Sequence, residues 1–172
     1  MKLTNLEGHS PKIAFDGSSG VSCVGVDHFQ ITGFEIEGPN KVITHEQATE
    51  DRLIQSNRYT GRGIVVWSGD HVRIANNAVH HCANSGIRAE DGDYVTIEDN
   101  RVYNNTWWTS NAESAIVLAE GLHADTDDVI KMVIQRNEVF GNVNRIPYYN
   151  SNYDDPQYLI DNNMHVARPG YG

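Results

Sequence analysis

The sequence predicts an all-β protein built as a short parallel β-helix of about four to five coils, with a short inserted helix. The 172 residues include 16 valines and 14 isoleucines but only 6 leucines, and β-branched residues favour strands over helices. Two different motifs also repeat along the chain, and the middle copies of both are 23 residues apart. This shared period is typical of stacked coils.

The first motif is an apolar residue, a polar residue and an isoleucine, followed by a polar corner and a second pair of inward positions. Its copies span residues 29–36, 72–79, 95–102 and 132–139. Their corner residues are Phe34, Asn77, Asn100 and Asn137. Because coils of a β-helix stack about 4.8 Å apart, we expect the asparagines to form a ladder.

The second motif lies between copies of the first and begins with a small residue. The first residues of its copies are Gly20, Gly63, Gly86 and Ala115. Strand alternation directs Ile64, Ile87 and Ile116 inward, and the same alignment predicts a core thiol at Cys23. One predicted outward row is Ser22, Val65, Arg88 and Val117, and the next is Val24, Trp67, Glu90 and Ala119. An antiparallel sandwich, the alternative fold, does not explain two interleaved motifs with one period.

The length predicts a single domain over residues 1–172, since one domain usually has about 150 residues. An insertion at about 39–62 interrupts the repeat, and a capping-box pattern at Thr44 predicts a short helix that continues through Ile54. The tail, at about 143–172, is rich in aromatic and turn residues. We expect this tail to wrap the last coil.

The interleaved repeats over about residues 12–146 resemble the right-handed parallel β-helix repeats of the pectate-lyase-like superfamily. The stretch from Val102 to Ala119, with Tyr-Asn-Asn-Thr-Trp-Trp-Thr near its start, is similar to parts of larger, largely uncharacterised bacterial β-helix proteins. The resemblance implies a right-handed coil, a polysaccharide as partner, and a lyase or hydrolase reaction if the protein is catalytic. It also implies an extracellular or periplasmic location, although the first 12 residues carry no signal-peptide pattern.

Charge and hydropathy exclude other classes of partner. The net charge of −10 argues against nucleic acid and against an anionic membrane surface. No apolar run approaches the ~18 residues that a membrane span needs, so we expect no membrane insertion.

An aromatic edge is the candidate polysaccharide site, because aromatic rings pack on the apolar faces of sugars. The candidate substrate-binding residues are Trp107, Trp108, Arg145, Tyr148 and Tyr149. In the alternative interpretation, the tryptophans pack the tail onto the body. The candidate catalytic residues are His81, Arg88 and Glu113, as an acid, a base or a neutralising charge. The valines predicted on both sides of Arg88 weaken the lyase interpretation.

Two further clusters contain metal-ligating residue types. The acidic edge offers calcium candidates at Asp91, Asp93, Glu120 and Asp125. In the alternative interpretation, the aspartates that precede the first motif cap turns, at Asp27, Asp70, Asp93 and Asp128. The run His80-His81-Cys82 is a weak zinc signal, because neighbouring side chains on an extended segment point to opposite sides. No cofactor is therefore certain, and calcium is the candidate.

A second functional hypothesis is a non-catalytic structural or assembly module. The open ends of a short β-helix carry unpaired strands, which invite pairing with another chain. A homodimer is expected to form through these ends or through the apolar outer strand face at Val65 and Val117.

Overall fold

The computed structural model describes residues 1–51, 58–109, 113–122 and 124–146. Within these residues the chain forms three parallel sheets and one helix, and it visits the sheets in turn before starting the next coil. This arrangement is a parallel β-helix, so the all-β prediction is confirmed. In the described part of the chain, no helix has the length and apolar character needed to cross a membrane.

The first sheet contains the strands of the first motif. Its strands, in spatial order, are β1 (Lys2–Thr4), β4 (Gln30–Thr32), β7 (Val72–Ala75), β10 (Val95–Glu98) and β13 (Met132–Gln135). The register pairs Ile31 with Ile74, Ile74 with Ile97, and Ile97 with Ile134. The alignment of the repeats therefore predicted the strand register, because each copy occupies the same place in its coil.

The second sheet follows the polar corner. Its strands are β2 (Lys12–Ala14), β5 (Glu35–Glu37), β8 (Ala78–His80), β11 (Arg101–Tyr103) and β14 (Glu138–Phe140). Ile36 and Val79 are paired neighbours in the interior of this sheet, and both side chains are fully buried.

The third sheet contains the second motif. Its strands are β3 (Ser19–Val24), β6 (Arg62–Trp67), β9 (Ile87–Glu90) and β12 (Ile116–Ala119). Both predicted outward rows occur in this register, which pairs Val65 with Arg88 and Arg88 with Val117. The predicted core thiol at Cys23 is buried, and Cys82 is also a buried free cysteine.

The asparagine ladder (Asn77, Asn100 and Asn137) connects the coils at the corner between the first and second sheets. The Oδ1 atom of Asn100 accepts hydrogen bonds from the backbone N–H of Asn77 at 3.0 Å and from its Nδ2 at 3.1 Å. Asn137 accepts the same pair of bonds from Asn100 at 3.0 Å each. The predicted ladder is confirmed, and it satisfies backbone groups that would otherwise be buried without partners.

Left-handed backbone geometry recurs where strands end and the chain turns. Residues with positive φ immediately precede the ladder position in successive coils, at Gly33, Asn76, Asp99 and Arg136. At the start of β6, the available space restricts the residue type. A Cβ on Gly63 would lie 2.2 Å from Val79 Cγ1 and 2.5 Å from the Gly86 carbonyl oxygen. The small first residue of the second motif is therefore required by packing.

The insertion begins with the predicted capping box and contains helix α1 (His45–Asp51). The Oγ1 atom of Thr44 accepts a bond from the backbone N–H of Gln47 at 3.1 Å, and Gln47 Oε1 accepts one from the N–H of Thr44 at 3.0 Å. The end predicted at Ile54 lies outside the described residues. A second apolar cluster joins the insertion to the body through Ile43, Ala48, Tyr59, Ala83, Trp108 and Ile146.

Candidate functional site

Two of the three candidate catalytic residues, Arg88 and Glu113, lie together on the outer face of the third sheet. Arg88 Nη1 lies 3.5 Å from Glu113 Oε1, and Arg88 Nε donates to Glu90 Oε2 at 2.5 Å. Arg62 Nε donates to Glu113 Oε2 at 2.9 Å, and Ser85 Oγ donates to the same oxygen at 3.0 Å. We call this group, together with Trp67, the sheet face; its residues are Arg62, Trp67, Ser85, Arg88, Glu90 and Glu113.

The electrostatics of the sheet face keep Glu113 ionised. Burial raises the pKa of Glu113, but the hydrogen bond and charge of Arg62, with the charge of Arg88, outweigh this effect and hold the pKa below its usual range. An ionised carboxylate accepts hydrogen bonds but has no proton to donate, so Glu113 is not poised as a general acid.

Trp67 provides an accessible aromatic ring on the sheet face. Trp67 is paired with Val24 on one adjacent strand and with Glu90 on the other. The residue is 41% exposed. The indole Nε1 donates to Asp91 Oδ2 at 2.9 Å, which fixes the orientation of the ring. The ring thus lies beside charged residues of the adjacent strand, which are of the kind that bond to hydroxyls.

His81, the third catalytic candidate, has different neighbours. Its ring centroid lies 5.5 Å from that of Trp107 and 6.2 Å from that of Tyr103, both in edge-to-face geometry. These contacts place His81 at the end of the second sheet, whereas Glu113 contacts residues of the sheet face. The three candidates therefore do not form one constellation through their described contacts.

The described part of the aromatic edge, Trp107, Trp108 and Arg145, is packed. Trp108 is only 4% exposed and belongs to the second apolar cluster, as the packing interpretation predicts. Trp107 is half-buried, and the guanidinium of Arg145 lies 3.3 Å above its ring. Tyr148 and Tyr149, the other two aromatic candidates, lie outside the described residues.

The acidic edge uses its carboxylates internally. Asp70 accepts from the backbone N–H of Asp93 at 2.8 Å, and Asp93 accepts from those of Tyr94 and Ala124 at 2.9 Å each. Lys131 Nζ lies 2.7 Å from Asp125 and 3.2 Å from Asp93, and mainly through its hydrogen bond it lowers the pKa of Asp125 to about 2. Asp70 and Asp93 thus bond turn amides as the alternative predicts.

The remaining calcium candidates have other neighbours. Asp91 holds the indole of Trp67, and Glu120 is an exposed residue with left-handed φ. Among the described residues, the four candidates do not include three whose ligand atoms converge within 4.8 Å. Calcium at this edge stays a prediction.

The histidine corner (Glu35, Glu37, His80 and His81) is the part of the described chain where three metal-ligating side chains converge. One ligand atom from each of Glu37, His80 and His81 lies within 4.8 Å of the others. The Nδ1 atoms of the two histidines are 2.8 Å apart. The expectation that these neighbours point to opposite sides is wrong, because β8 ends at His80 and His81 takes a left-handed φ of 57°.

Burial and charge set the protonation of the histidine corner. Burial lowers the pKa of His80, and burial together with the nearby charge of Lys41 lowers the pKa of His81 to about 4. Hydrogen bonds from Lys12 and Lys41 lower the pKa of Glu37 to about 2. Near neutral pH, the corner therefore holds neutral imidazoles beside an ionised carboxylate.

Sequence reasoning missed Arg62 and Glu37. Glu37 was recoverable, because the alignment that places Ile36 beside Val79 also places Glu37 beside His80, and these two residues are paired neighbours. Arg62 directly precedes the small first residue of the second motif, but only the fold brings it to Glu113 across 51 residues.

Comparison with known proteins agrees with this architecture. A family model described as "Right handed beta helix region" matches residues 5–164, which include every strand from β2 to β14 and the inserted helix. Neither the curated proteins nor the solved structures include a match to the chain.

Proposed function

The chain belongs to the right-handed β-helix family, and we propose that it binds an extended polysaccharide on the sheet face. The exposed ring of Trp67 carries this proposal. Aromatic rings supply the apolar surface on which sugar rings pack, and flanking polar groups bond to the hydroxyls at the rim. The shape of the face supports an extended ligand, since its four parallel strands stack along one direction.

Polar groups beside Trp67 support recognition of hydroxyls. Glu90 occupies the neighbouring position in the row of Trp67, and Arg88 bridges Glu90 to Glu113. Arginine and carboxylate side chains offer donors and acceptors in fixed positions. A sugar seated on Trp67 would therefore lie beside the partly exposed guanidinium of Arg88 in the adjacent coil, which the largely buried Glu90 carboxylate holds in place.

The charge state of Glu113 favours binding over cleavage. A glycoside hydrolase needs a protonated carboxyl as general acid in addition to an ionised partner. Glu113 has a lowered pKa and is held by Arg62 and Arg88. We therefore assign Glu113 a positioning role, in which it fixes the two guanidinium groups.

The test is affinity electrophoresis of the full chain in gels containing neutral or acidic polysaccharides. We expect retardation by at least one polysaccharide, and we expect Trp67→Ala to abolish it because the stacking surface is lost. Phe140→Ala is the matched control, since Phe140 is 42% exposed but lies on the second sheet. No retardation of the wild-type chain across the panel, or equal retardation of Trp67→Ala, would contradict the proposal.

An assembly module is the second candidate, and the last coil favours it. Ile134 is 50% exposed, although its partners in the same row, Ile97 and Ile74, are fully buried. Among the described strands, β13 lies at the edge of the first sheet, and exposed apolar positions at a sheet edge favour pairing with another chain. Sedimentation equilibrium should then give a dimer or larger species that Ile134→Glu dissociates, and a wild-type monomer at high concentration would exclude this function.

A further inference from the structure

The histidine corner has a ligand geometry that the polysaccharide proposal does not use. Two consecutive histidines face each other because the extended strand β8 ends at His80 and the left-handed backbone of His81 turns its imidazole to the same side. Their Nδ1 atoms lie 2.8 Å apart, a hydrogen-bonding distance. One of these nitrogens must donate and the other accept, so a metal ion would have to displace the proton that the two nitrogens share.

Glu37 completes the group from the neighbouring coil. It is the parallel-strand partner of His80, and its Oε1 lies 4.0 Å from His80 Nδ1. Two imidazoles and one carboxylate are a ligand set that suits divalent transition metals.

Glu35 orients one of the ligands from the outside. His80 Nε2 lies 3.3 Å from Glu35 Oε1, so the ring N–H that faces the carboxylate is at Nε2. His80 Nδ1 is then unprotonated and faces the other ligands. A carboxylate that fixes the tautomer of a metal-binding histidine is a common second layer of metal sites.

We infer that Glu37, His80 and His81 form a binding site for a divalent first-row transition-metal ion such as Zn²⁺. Zn–N bonds of about 2.0–2.1 Å in tetrahedral geometry separate two nitrogens by roughly 3.3 Å, so an ion would widen the present 2.8 Å gap by about half an ångström. On binding, His81 releases its Nδ1 proton and takes one at Nε2, so the imidazole stays neutral. Three protein ligands leave a fourth position for water or a further ligand.

The site is enclosed but reachable. His80 and His81 are buried, with Tyr103 stacked on His80 and the edge of Trp107 against His81. The Glu37 side chain is 16% exposed, and it pairs with the more exposed Lys41 at 2.5 Å. An ion would therefore enter past Glu37 after moving the Lys41 ammonium aside.

Two lysines limit the affinity. Lys12 and Lys41 both pair with Glu37, and each positive charge opposes an incoming cation. Since 57% of the Lys41 side chain is exposed, it can be replaced without opening the core. We expect Lys41→Gln to strengthen metal binding about threefold or more, consistent with the loss of one unfavourable partly screened charge.

The experiment uses the tag-free full chain, freed of metal with a chelator and titrated with ZnCl₂ in a calorimeter. We expect one ion per chain, and with CoCl₂ an absorption spectrum of a nitrogen- and oxygen-bound ion. His81→Asn should weaken Zn²⁺ binding at least tenfold, because one ligand is lost. Asparagine tolerates the left-handed backbone, so the variant keeps the turn.

His71→Asn is the matched control, because His71 has nearly the same left-handed φ (55°) but stacks between His28 and Tyr94 at another corner. This control should bind Zn²⁺ like the wild type. If His81→Asn does not fold by circular dichroism, Glu37→Gln takes its place and should weaken binding by a similar factor. The site is rejected if the wild-type chain does not bind Zn²⁺ at millimolar concentration, or if both His81→Asn and Glu37→Gln bind it unchanged.

Discussion

The asparagine ladder and the histidine corner are both buried polar groups beside strands of the second sheet, but they differ in repetition. Asn77, Asn100 and Asn137 occupy one position in successive coils, and each amide bonds to the next. The histidine pair occurs in one coil only among the described coils. In the next coil, Tyr103 takes the position that is paired with His80. A polar residue that repeats with the coils bonds to its own copies, whereas the histidine pair, which has no copy in the next coil, bonds within its own coil and to Glu35.

The largest expected effect follows from breaking the ladder in the middle. Asn100→Ala removes the acceptor of the Asn77 amide and the donor to the Ile74 carbonyl, both of which are buried. Since a buried unpaired polar group costs about 1–3 kcal/mol, we expect the free energy of unfolding to fall by about 3–4 kcal/mol in urea denaturation. Asn76→Gly, at an exposed left-handed position, should change it by at most about 1 kcal/mol.

Acid should affect the histidine corner and leave the ladder unchanged, since amides do not titrate in this range. The pKa of His81 is about 4 in the folded chain and about 6.5 in the unfolded chain. Between these values the unfolded chain binds more protons, so stability is complete above pH 6.5 and is lost as the pH falls toward 4. We expect this histidine to account for a loss on the order of 3 kcal/mol.

The measurement is urea denaturation at pH 7 and pH 4 in the presence of a chelator. His81→Asn should lose less stability over this interval than the wild type, whereas His71→Asn should lose as much. Equal losses for His81→Asn and the wild type would show that His81 titrates normally.

Packing beneath the histidine corner should respond to one added methyl group. A Cβ on Gly63 would overlap Val79 Cγ1 and would lie 3.1 Å from Cys82 Sγ. We expect Gly63→Ala to lower the free energy of unfolding by about 2 kcal/mol, because extra atoms in a well-packed core typically cost an energy of this size. Gly17→Ala has open space around its Cβ and should change stability by less than about 0.5 kcal/mol; similar losses in the two variants would contradict the packing requirement.

The smallest expected effect concerns the insertion, which breaks the repeat beside the same corner. Thr44→Ala removes the N-cap of α1 and should cost about 1 kcal/mol. Gln47→Ala removes the reciprocal bond and should cost less. Thermal unfolding monitored by tryptophan fluorescence can compare the two, since α1 packs through Ala48 into the cluster of Trp108. A larger loss for Gln47→Ala would reverse the expected contributions of the two bonds.

The candidate site was predicted only in part. Strand alternation placed Arg88 and Trp67 on one outer face, because that direction depends on the period of two along a strand. The meeting of Arg88 with Glu113 could not be derived this way, since Glu113 precedes its strand and no alternation applies there. Trp108 was a binding candidate because it lies on the predicted aromatic edge, but the inserted helix packs against it, and its packing partners are distant in sequence.

The sequence by itself determined the repeat, the strand register, the core-facing isoleucines, the asparagine ladder and the capping box. Each of these follows from a local pattern or from a fixed period, which stacking copies unchanged from coil to coil. Only the tertiary structure decided that His81 turns back toward His80 and that Arg62 meets Glu113. The reason is physical: alternation ends with the strand, and beyond it a single left-handed φ and the contacts between coils set the direction of each side chain.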